Sequence, residues 1–360
     1  MTSNSGDNNT VLVNGTGTIG EPLIALLLSL KKQLGIDDLI FYKHSPRITD
    51  RPMLNDLKKR GGLMCVEESK VDDFRSMGVE PDLIFADALD RADVVADATA
   101  EDVGIRNKRE YYEKAEHNTK GFLAQGSESG FGTIYASGIN DNIFKKSTIP
   151  KYVQIASCNT HAAAAAVKYL TFEGENSYLD HADLTFIRRG SDISQNKGVQ
   201  APTVSSFDDD RFGTHHAKDV WRLFQTQGHD FDLFSSAIKI NSQYMHSLSA
   251  HFTMKKDINR DTLLSIIHDT PELALTQKTA INQVFSFGRD HGHFGRILNQ
   301  AVFVESSIKT YKNHLYFWSF TPQDGNAILS SVKAIAYYLH DTESVDEIMQ
   351  SVKPWLFDEV

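Results

Sequence analysis

In the first part of the chain, short apolar runs alternate with stretches of helical spacing. Val11-Leu12-Val13, Leu39-Ile40-Phe41-Tyr42, Leu83-Ile84-Phe85-Ala86, Val94-Val95-Ala96-Asp97, Gly121-Phe122-Leu123-Ala124 and Tyr152-Val153-Gln154-Ile155 have the length and β-branched or aromatic content of strands. Between them the pattern predicts helices over Leu23–Leu34, Asp50–Arg60 and Arg106–His117. Strand and helix in alternation predict a doubly wound parallel sheet over roughly the first 155 residues.

The pattern then changes. Ala162–Ala166 is a run of the residue with the lowest helix cost, so a helix begins near Cys158. Asp183–Arg188 alternates apolar and polar, as an antiparallel strand with one wet face does. Phe231–Asn241, Tyr244–Met254, Ala301–Ile308 and Leu315–Phe320 continue the series, interrupted by a helix pattern at Asp261–His268. The last segments return to helix, Ala327–Leu339 and Ser344–Val352. The expected fold class is α/β: a Rossmann-like doubly wound parallel sheet plus an α+β catalytic domain with a mainly antiparallel sheet. The corresponding domains are 1–156 for dinucleotide binding, 157–325 for catalysis and substrate, and 326–360 as C-terminal helices returning to the first domain.

Composition narrows the class. A chain of 360 residues, 41% of them hydrophobic, can bury two cores. A net charge of −10 argues against a general grip on nucleic acid or anionic membrane. Two cysteines, Cys65 and Cys158, make no disulfide framework, and they suit a reducing compartment. The longest apolar run, Leu23–Leu30, is too short to span a bilayer. Met1–Thr10 is polar without a basic flank and reads as a frayed tail rather than a signal peptide, so the expected location is the cytoplasm.

Two motifs carry the chemistry. Gly15-Thr16-Gly17-Thr18-Ile19-Gly20 lies between a strand and a helix, the context in which G-x-G-x-x-G cradles a pyrophosphate at a helix N-terminus; a glycine turn without a ligand is the bland alternative. The next strand ends in Lys43-His44-Ser45-Pro46-Arg47, with no carboxylate before Asp50. A cation there suits the 2′-phosphate of NADP and tolerates NAD, unless the lysine is merely solvated. Ala98-Thr99-Ala100 and Gln125-Gly126-Ser127 follow strand ends and are further candidate cofactor contacts, or ordinary turns. The second motif is Ser157-Cys158-Asn159-Thr160-His161. A cysteine at a helix N-terminus meets the macrodipole and free N–H groups, which favour a thiolate and could hold an oxyanion. A buried structural cysteine is the alternative.

Three further groups bear on the site. Arg188-Arg189 with His215-His216-Ala217-Lys218-Asp219 could bind an anion, since guanidinium forks match phosphate; strand packing and helix capping would also account for them. His246 is a candidate general base or a satisfied core histidine. Asp290-His291-Gly292-His293 lacks a third ligand nearby and reads as a solvated loop, so no metal site is expected.

Together, Val13–Gly20, Lys43–Pro46, Ser157–Thr160, Ile187–Arg189 and His215–Val220 resemble, in order, segments of the archaeal-type (type II) phosphorylating glyceraldehyde-3-phosphate dehydrogenases. The resemblance implies that Cys158 is the nucleophile and that His246, preceded by a methionine, assists it. It implies cofactor contacts at Gly15, Gly17, Thr18, Ile19, Gly20, Lys43, His44, Gly126 and Arg189. Substrate or phosphate contacts would fall at Ser157, Asn159, Thr160, Arg188, His215 and His216. It further implies NADP or NAD as cofactor, a phosphorylated aldehyde and inorganic phosphate as substrates, and a homotetramer. Departures are His161 in place of a second threonine, Gly198–Pro202 and Asp208–Arg211 in place of proline-rich segments, and Phe320–Asp324 in place of His-Gln-Glu-Ser. Two other readings share these features: an acyl-phosphate or semialdehyde dehydrogenase of similar fold, and a non-catalytic NADP-binding relative.

Overall fold

The computed structural model describes residues 9–126, 128–145, 147–196, 201–322 and 324–360. The N-terminal tail before Asn9, Ser127, the Gly198–Gln200 stretch and Gln323 lie outside the described residues. The chain divides into two compact units.

The first unit comprises Met1–Thr133, Ser147–Ile155 and Ser331–Ser351. Its elements run β1 (Thr10–Asn14), α1 (Gly20–Ser29), β2 (Asp38–Tyr42), α2 (Arg51–Lys59), β3 (Leu63–Val66), α3 (Val71–Ser76), β4 (Leu83–Ile84), α4 (Phe85–Arg91), β5 (Val94–Asp97), α5 (Val103–Asn107), α6 (Glu113–Ala115) and β6 (Gly121–Gln125). The short β7 (Thr133–Tyr135) and β8 (Tyr152–Ile155) complete an eight-stranded sheet of order β4-β3-β2-β1-β5-β6-β8-β7. β1 pairs in parallel with both β2 and β5, so the strand order reverses beside it. Val11, Leu12 and Val13 are fully buried because helices cover both faces, which is why the strand reads as a continuous apolar run.

Three expectations shift. α1 stops at Ser29 rather than Leu34; turns carry the buried Leu30 and Leu34 onward to Gly35, whose φ is +57°. Only Leu83–Ile84 of the run Leu83–Ala86 is strand, because Phe85, Ala88 and Leu89 bury one face of α4 at helical spacing. β3, only four residues long, gave no separate signal in the pattern.

The second unit comprises Ile134–Lys146, Ala156–Ser330 and Val352–Val360. α7 (Cys158–Thr171) is followed by the two-residue strands β9 (Phe172–Glu173) and β10 (Asn176–Ser177), then β11 (Leu179–Arg189), β12 (Thr203–Val204), α8 (His215–Gln225), β13 (Asp232–Ile240), β14 (His246–Met254) and α9 (Arg260–Asp269). β15 (Leu273–Thr276), α10 (Ile281–His291), β16 (Ala301–Val304), β17 (Lys309–Tyr311) and β18 (His314–Thr321) follow. α11 (Gly325–Leu339) starts among residues of this unit and ends among those of the first, where α12 (Thr342–Gln350) also belongs. The large sheet has the order β12-β13-β11-β14-β18-β16-β15, with β17 on β18. β14 is antiparallel to both of its neighbours, β11 and β18, whereas β13 runs parallel to β11 and β15 to β16. The expected α/β architecture, a Rossmann-like sheet and a mainly antiparallel one, is present.

Along β11, Ala182, Leu184 and Phe186 are buried while Asp180, Asp183 and Thr185 are exposed, the period of a half-covered strand. The covered face packs on α7 and α8. All five alanines from Ala162 to Ala166 have no exposed surface. Their small side chains let the sheet and neighbouring helices approach the backbone of α7 from every side. β15 and α10 were not anticipated; Asp290 and His291 end α10 instead of lying in a loop, and His293 stacks on Trp355 at 3.8 Å. No helix among the described residues is long and apolar enough to cross a membrane. Ala164→Leu should destabilise this unit by about 1–3 kcal/mol through overpacking. A urea-unfolding midpoint equal to wild type would contradict the close fit around α7.

Candidate active site

The glycine loop of the first unit joins the end of β1 to the start of α1. Gly15 has φ +108°, and a Cβ there would sit 2.9 Å from the Ala98 carbonyl oxygen that follows β5. A Cβ on Gly20 would sit 2.0 Å from the Gly15 carbonyl oxygen. Packing within the protein therefore requires both glycines. Gly17 differs: a Cβ there would meet nothing within 4 Å. Its missing side chain leaves open the face at which α1 begins, and no side chain caps that helix. Thr18 and Ile19 complete the turn. An open, uncapped helix N-terminus at the point of strand-order reversal fits a dinucleotide pyrophosphate. Gly126, after β6, has φ +75° and likewise an open Cβ direction.

A buried carboxylate underlies the loop. Asp97 ends β5 and is 2% exposed. It accepts hydrogen bonds from Tyr112 Oη (2.6 Å), Asn107 Nδ2 (2.8 Å), the Thr99 backbone N–H (3.0 Å) and the Thr99 hydroxyl. Asn14, the last residue of β1, donates to Tyr112 Oη at 2.8 Å. The Lys43 ammonium, expected to be available to a 2′-phosphate, lies 2.5 Å from Asp50. The carboxylate that sequence reading placed too late in the chain folds back onto the cation. His44 Nδ1 shares a hydrogen bond with Tyr42 Oη at 3.1 Å.

In the second unit Ser157 is the N-cap of α7. Its Oγ accepts the Thr160 N–H at 3.3 Å and lies 2.9 Å from Thr160 Oγ1, so these two residues hold the first turn. Cys158 is the first helical residue and is partly exposed. Its thiol is pushed up to about 11, first by burial and then by the Asp324 carboxylate; Arg189, the Asn159 backbone N–H and Arg188 oppose this only in part. The expected resting thiolate is thus corrected to a thiol, because lost hydration outweighs the helix terminus. Asn159 is 3% exposed and its Oδ1 has no partner.

His161 is fully buried. Its Nδ1 meets the Ser157 carbonyl at 3.0 Å, and a carbonyl only accepts, so Nδ1 carries the proton and Nε2 accepts from Ser330 Oγ at 2.7 Å. Burial pulls it down to about 4. His246 opens β14, and its Nδ1 accepts the Arg189 backbone N–H at 3.0 Å. Its proton therefore resides on Nε2, which can donate. Burial first, then Arg189 and Arg188, push this histidine down to about 3. The histidine is thus neutral, with Nδ1 occupied and its proton on Nε2.

Arg188 and Arg189 end β11. The Arg189 guanidinium is shared between Asp192 (2.5 Å) and Asp324 (3.6 Å), so carboxylates of its own unit already engage the side chain that sequence reading gave to the cofactor. His216, at the start of α8, is 2% exposed with both ring nitrogens unpartnered. It packs 4.0 Å from the His215 ring and 4.5 Å from Phe186. Burial, His215, Arg188 and His246 hold it well below the usual histidine range. Cys158, Arg188, Arg189, His216 and His246 thus form one interacting cluster. Lys218 stays outside it, paired with Asp209 at 2.9 Å. Asp192, Arg296, Asp324 and Asn326 belong to the cluster without having been singled out. Among the described residues no group of three or more His, Cys, Asp or Glu could hold a metal ion.

The cluster has a consequence for acid stability. His161 and His246 bind protons near their ordinary pKa, about 6.5, in the unfolded chain, but only near 4 and 3 when folded. Their stabilising contribution is complete above 6.5 and is lost as pH falls toward those values. Stability should drop between pH 6.5 and 4 with a slope of about 1.4 kcal/mol per pH unit per histidine. Urea titrations should find a shallower slope in His161→Gln.

Comparison with curated proteins finds the same kind of relative repeatedly. The chain is 28% identical over 337 residues to glyceraldehyde-3-phosphate dehydrogenase of Methanoregula boonei, covering 90% of each chain. It is 25% identical over 334 residues to that of Methanopyrus kandleri, covering 90% of each. With that of Pyrococcus abyssi it shares 25% over 346 residues, 95% of this chain and 96% of the relative. No family model matches the chain.

Proposed function

We propose, from the premise that this chain is a relative of the archaeal-type glyceraldehyde-3-phosphate dehydrogenases, that it oxidises glyceraldehyde 3-phosphate to 1,3-bisphosphoglycerate, reversibly, with NADP and less readily NAD. The observation that supports this most is the seat of Cys158: the first residue of α7, with the Asn159 N–H directed at its sulfur and Arg188 and Arg189 close enough to act on it.

The chain's own groups divide the work. The Gly15–Gly20 loop and Gly126 would hold the dinucleotide, which supplies an acceptor for hydride. Cys158 sulfur attacks the aldehyde carbon to give a hemithioacetal. The Asn159 N–H at the helix start and the Nε2–H of His246 suit the oxygen that becomes negative. Loss of hydride leaves a thioester, which inorganic phosphate opens to the acyl phosphate. Arg188 with His215 and His216 is the proposed anion seat; a buried imidazole with both nitrogens unsatisfied calls for a polar ligand. Lys43 takes the 2′-phosphate in this reading, exchanging Asp50 for it. The same reading includes a cytoplasmic homotetramer.

Adding glyceraldehyde 3-phosphate should reduce cofactor only when inorganic phosphate is present, and Cys158→Ser should abolish this while leaving NADP binding unchanged. A phosphate-independent rate, or substantial turnover by the serine variant, would reject the reading. Lys43→Ala should weaken NADP by about tenfold, the loss of about 1.4 kcal/mol of charge-assisted contact, and leave NAD nearly unaffected. Equal losses for both cofactors in a binding titration would remove Lys43 from the 2′-phosphate.

A further inference from the structure

A pocket to which no proposed catalytic group contributes opens in the second unit, between the segment after β11, the residue before β14, and α10 with the turn that follows it. Ile193, Met245, Phe285 and Ile297 supply its apolar walls, and Arg296 is the only charged side chain among its described lining residues. The space measures about 370 Å³ with its mouth, the small end of the range for ligand pockets. Packing behind the walls keeps it formed. Met245 and Ile297 are each 3% exposed and belong to one apolar cluster with Val284, Val302 and Phe320. Tyr244 meets the Phe285 ring edge-on at 5.4 Å, and a Cβ on Gly288 would sit 3.1 Å from Ile297 Cγ1. Ile193, 52% exposed, forms the rim.

Arg296 is held at this pocket by a tight turn. Phe294 and Gly295 have φ +49° and +71°, which reverses the chain after α10, and the Arg296 N–H donates to the His293 carbonyl at 3.0 Å. The side chain is half-buried, and its Nη1 donates to the Phe294 carbonyl at 3.0 Å. Its Nε is buried without a partner. No carboxylate among the described residues lies within ion-pair distance of this guanidinium, although its charge is felt by Asp324. Asp324 and Asp192, the acidic groups closest in the chain to the walls, are both engaged by Arg189, at 3.6 Å and 2.5 Å. A half-buried cation without a counter-ion, and with one donor unsatisfied, is destabilising until an anion completes it. With Nη1 occupied, the Nε–Nη2 edge remains, and two parallel N–H groups on that edge match a carboxylate.

We propose that this pocket is a binding site for a small free monocarboxylate with a compact apolar body, its carboxylate on the Nε–Nη2 edge of Arg296 and its hydrocarbon part against Ile193, Met245, Phe285 and Ile297. The inference goes beyond the aldehyde-oxidation reading and does not depend on it. One lining cation balances one negative charge. A phosphate dianion in the same place would keep a second charge uncompensated against apolar walls and near Asp324. A ligand without charge would leave the guanidinium as it is, and one without an apolar body would leave the walls wet. Both halves of the ligand are therefore specified by the lining.

The test titrates the full chain with hexanoate, acetate and 1-hexanol, by calorimetry and by ¹³C-methyl NMR of its isoleucines and methionines. Hexanoate should bind saturably at one site, at least about tenfold more tightly than acetate, which lacks the apolar body, and than hexanol, which lacks the charge. The methyl signals of Ile193, Met245 and Ile297 should shift with its saturation. Arg296→Gln, checked for folding by its melting transition, should weaken hexanoate by at least about tenfold and leave hexanol unchanged. Ile193→Ser should weaken hexanoate several-fold and leave acetate unchanged; it alters only an exposed rim residue, so its result stands even where Arg296→Gln is unstable. Hexanoate binding no more tightly than hexanol, or moving none of the three methyl signals, would overturn the proposal. So would displacement of hexanoate by inorganic phosphate, which would place it in the anion seat proposed at Arg188 instead.

Discussion

Loss of water around the start of α7 governs the second unit. Ala162–Ala166 bury completely, so this stretch of the helix has no face open to solvent. Its first residue inherits that low-dielectric setting, and the thiol there stays protonated despite the helix terminus and two nearby arginines. Burial likewise keeps His161, His216 and His246 neutral. Charge in such a place is tolerated where it is shared, as between Arg189, Asp192 and Asp324.

Arg189 joins two kinds of control. Its backbone N–H selects the tautomer of His246, and its guanidinium neutralises part of the acidic pair. One residue at a strand end therefore sets which imidazole nitrogen can donate and how much negative charge the thiol meets. The backbone half of that control survives replacement of the side chain; the charge half does not. A change at Arg189 should thus be read as an electrostatic change at Cys158 and Asp324 before it is read as a lost ligand contact.

Much of this was legible in the residues, for identifiable reasons. The β–glycine–helix order of Val11–Leu34 and the Cys158-to-alanine transition are local signals, and the strands and helix starts lie where those signals put them. The strand-to-helix switch at Ile84–Phe85 was not legible, since a four-residue apolar run suits either element. Nor were the Lys43–Asp50 pair, the Arg189–His246 contact and the Arg189–Asp324 pair. Each depends on how the chain returns; the segment after Asp324 meets the start of α7 through Asn326, which donates to the Cys158 carbonyl. The thiol's protonation state failed for the same reason: the helix terminus is visible in sequence, whereas burial is a property of the packed core.

The two units meet the problem of buried negative charge differently. Asp97 lies under the glycine loop with no cation among its hydrogen-bond partners; a tyrosine, an asparagine and a threonine satisfy its oxygens. Such a carboxylate is fixed, and through Asn14 and Tyr112 it fixes the end of β1 from which the loop departs. Asp324 has cations for neighbours but one oxygen without a partner. Satisfied hydrogen bonds make the first a support; the second keeps one buried oxygen without a hydrogen-bond partner. Its left-handed backbone persists because Gly325 and Asn326 are held from either side of the turn, by the Ile297 carbonyl and by the carbonyls of Cys158 and Gln300.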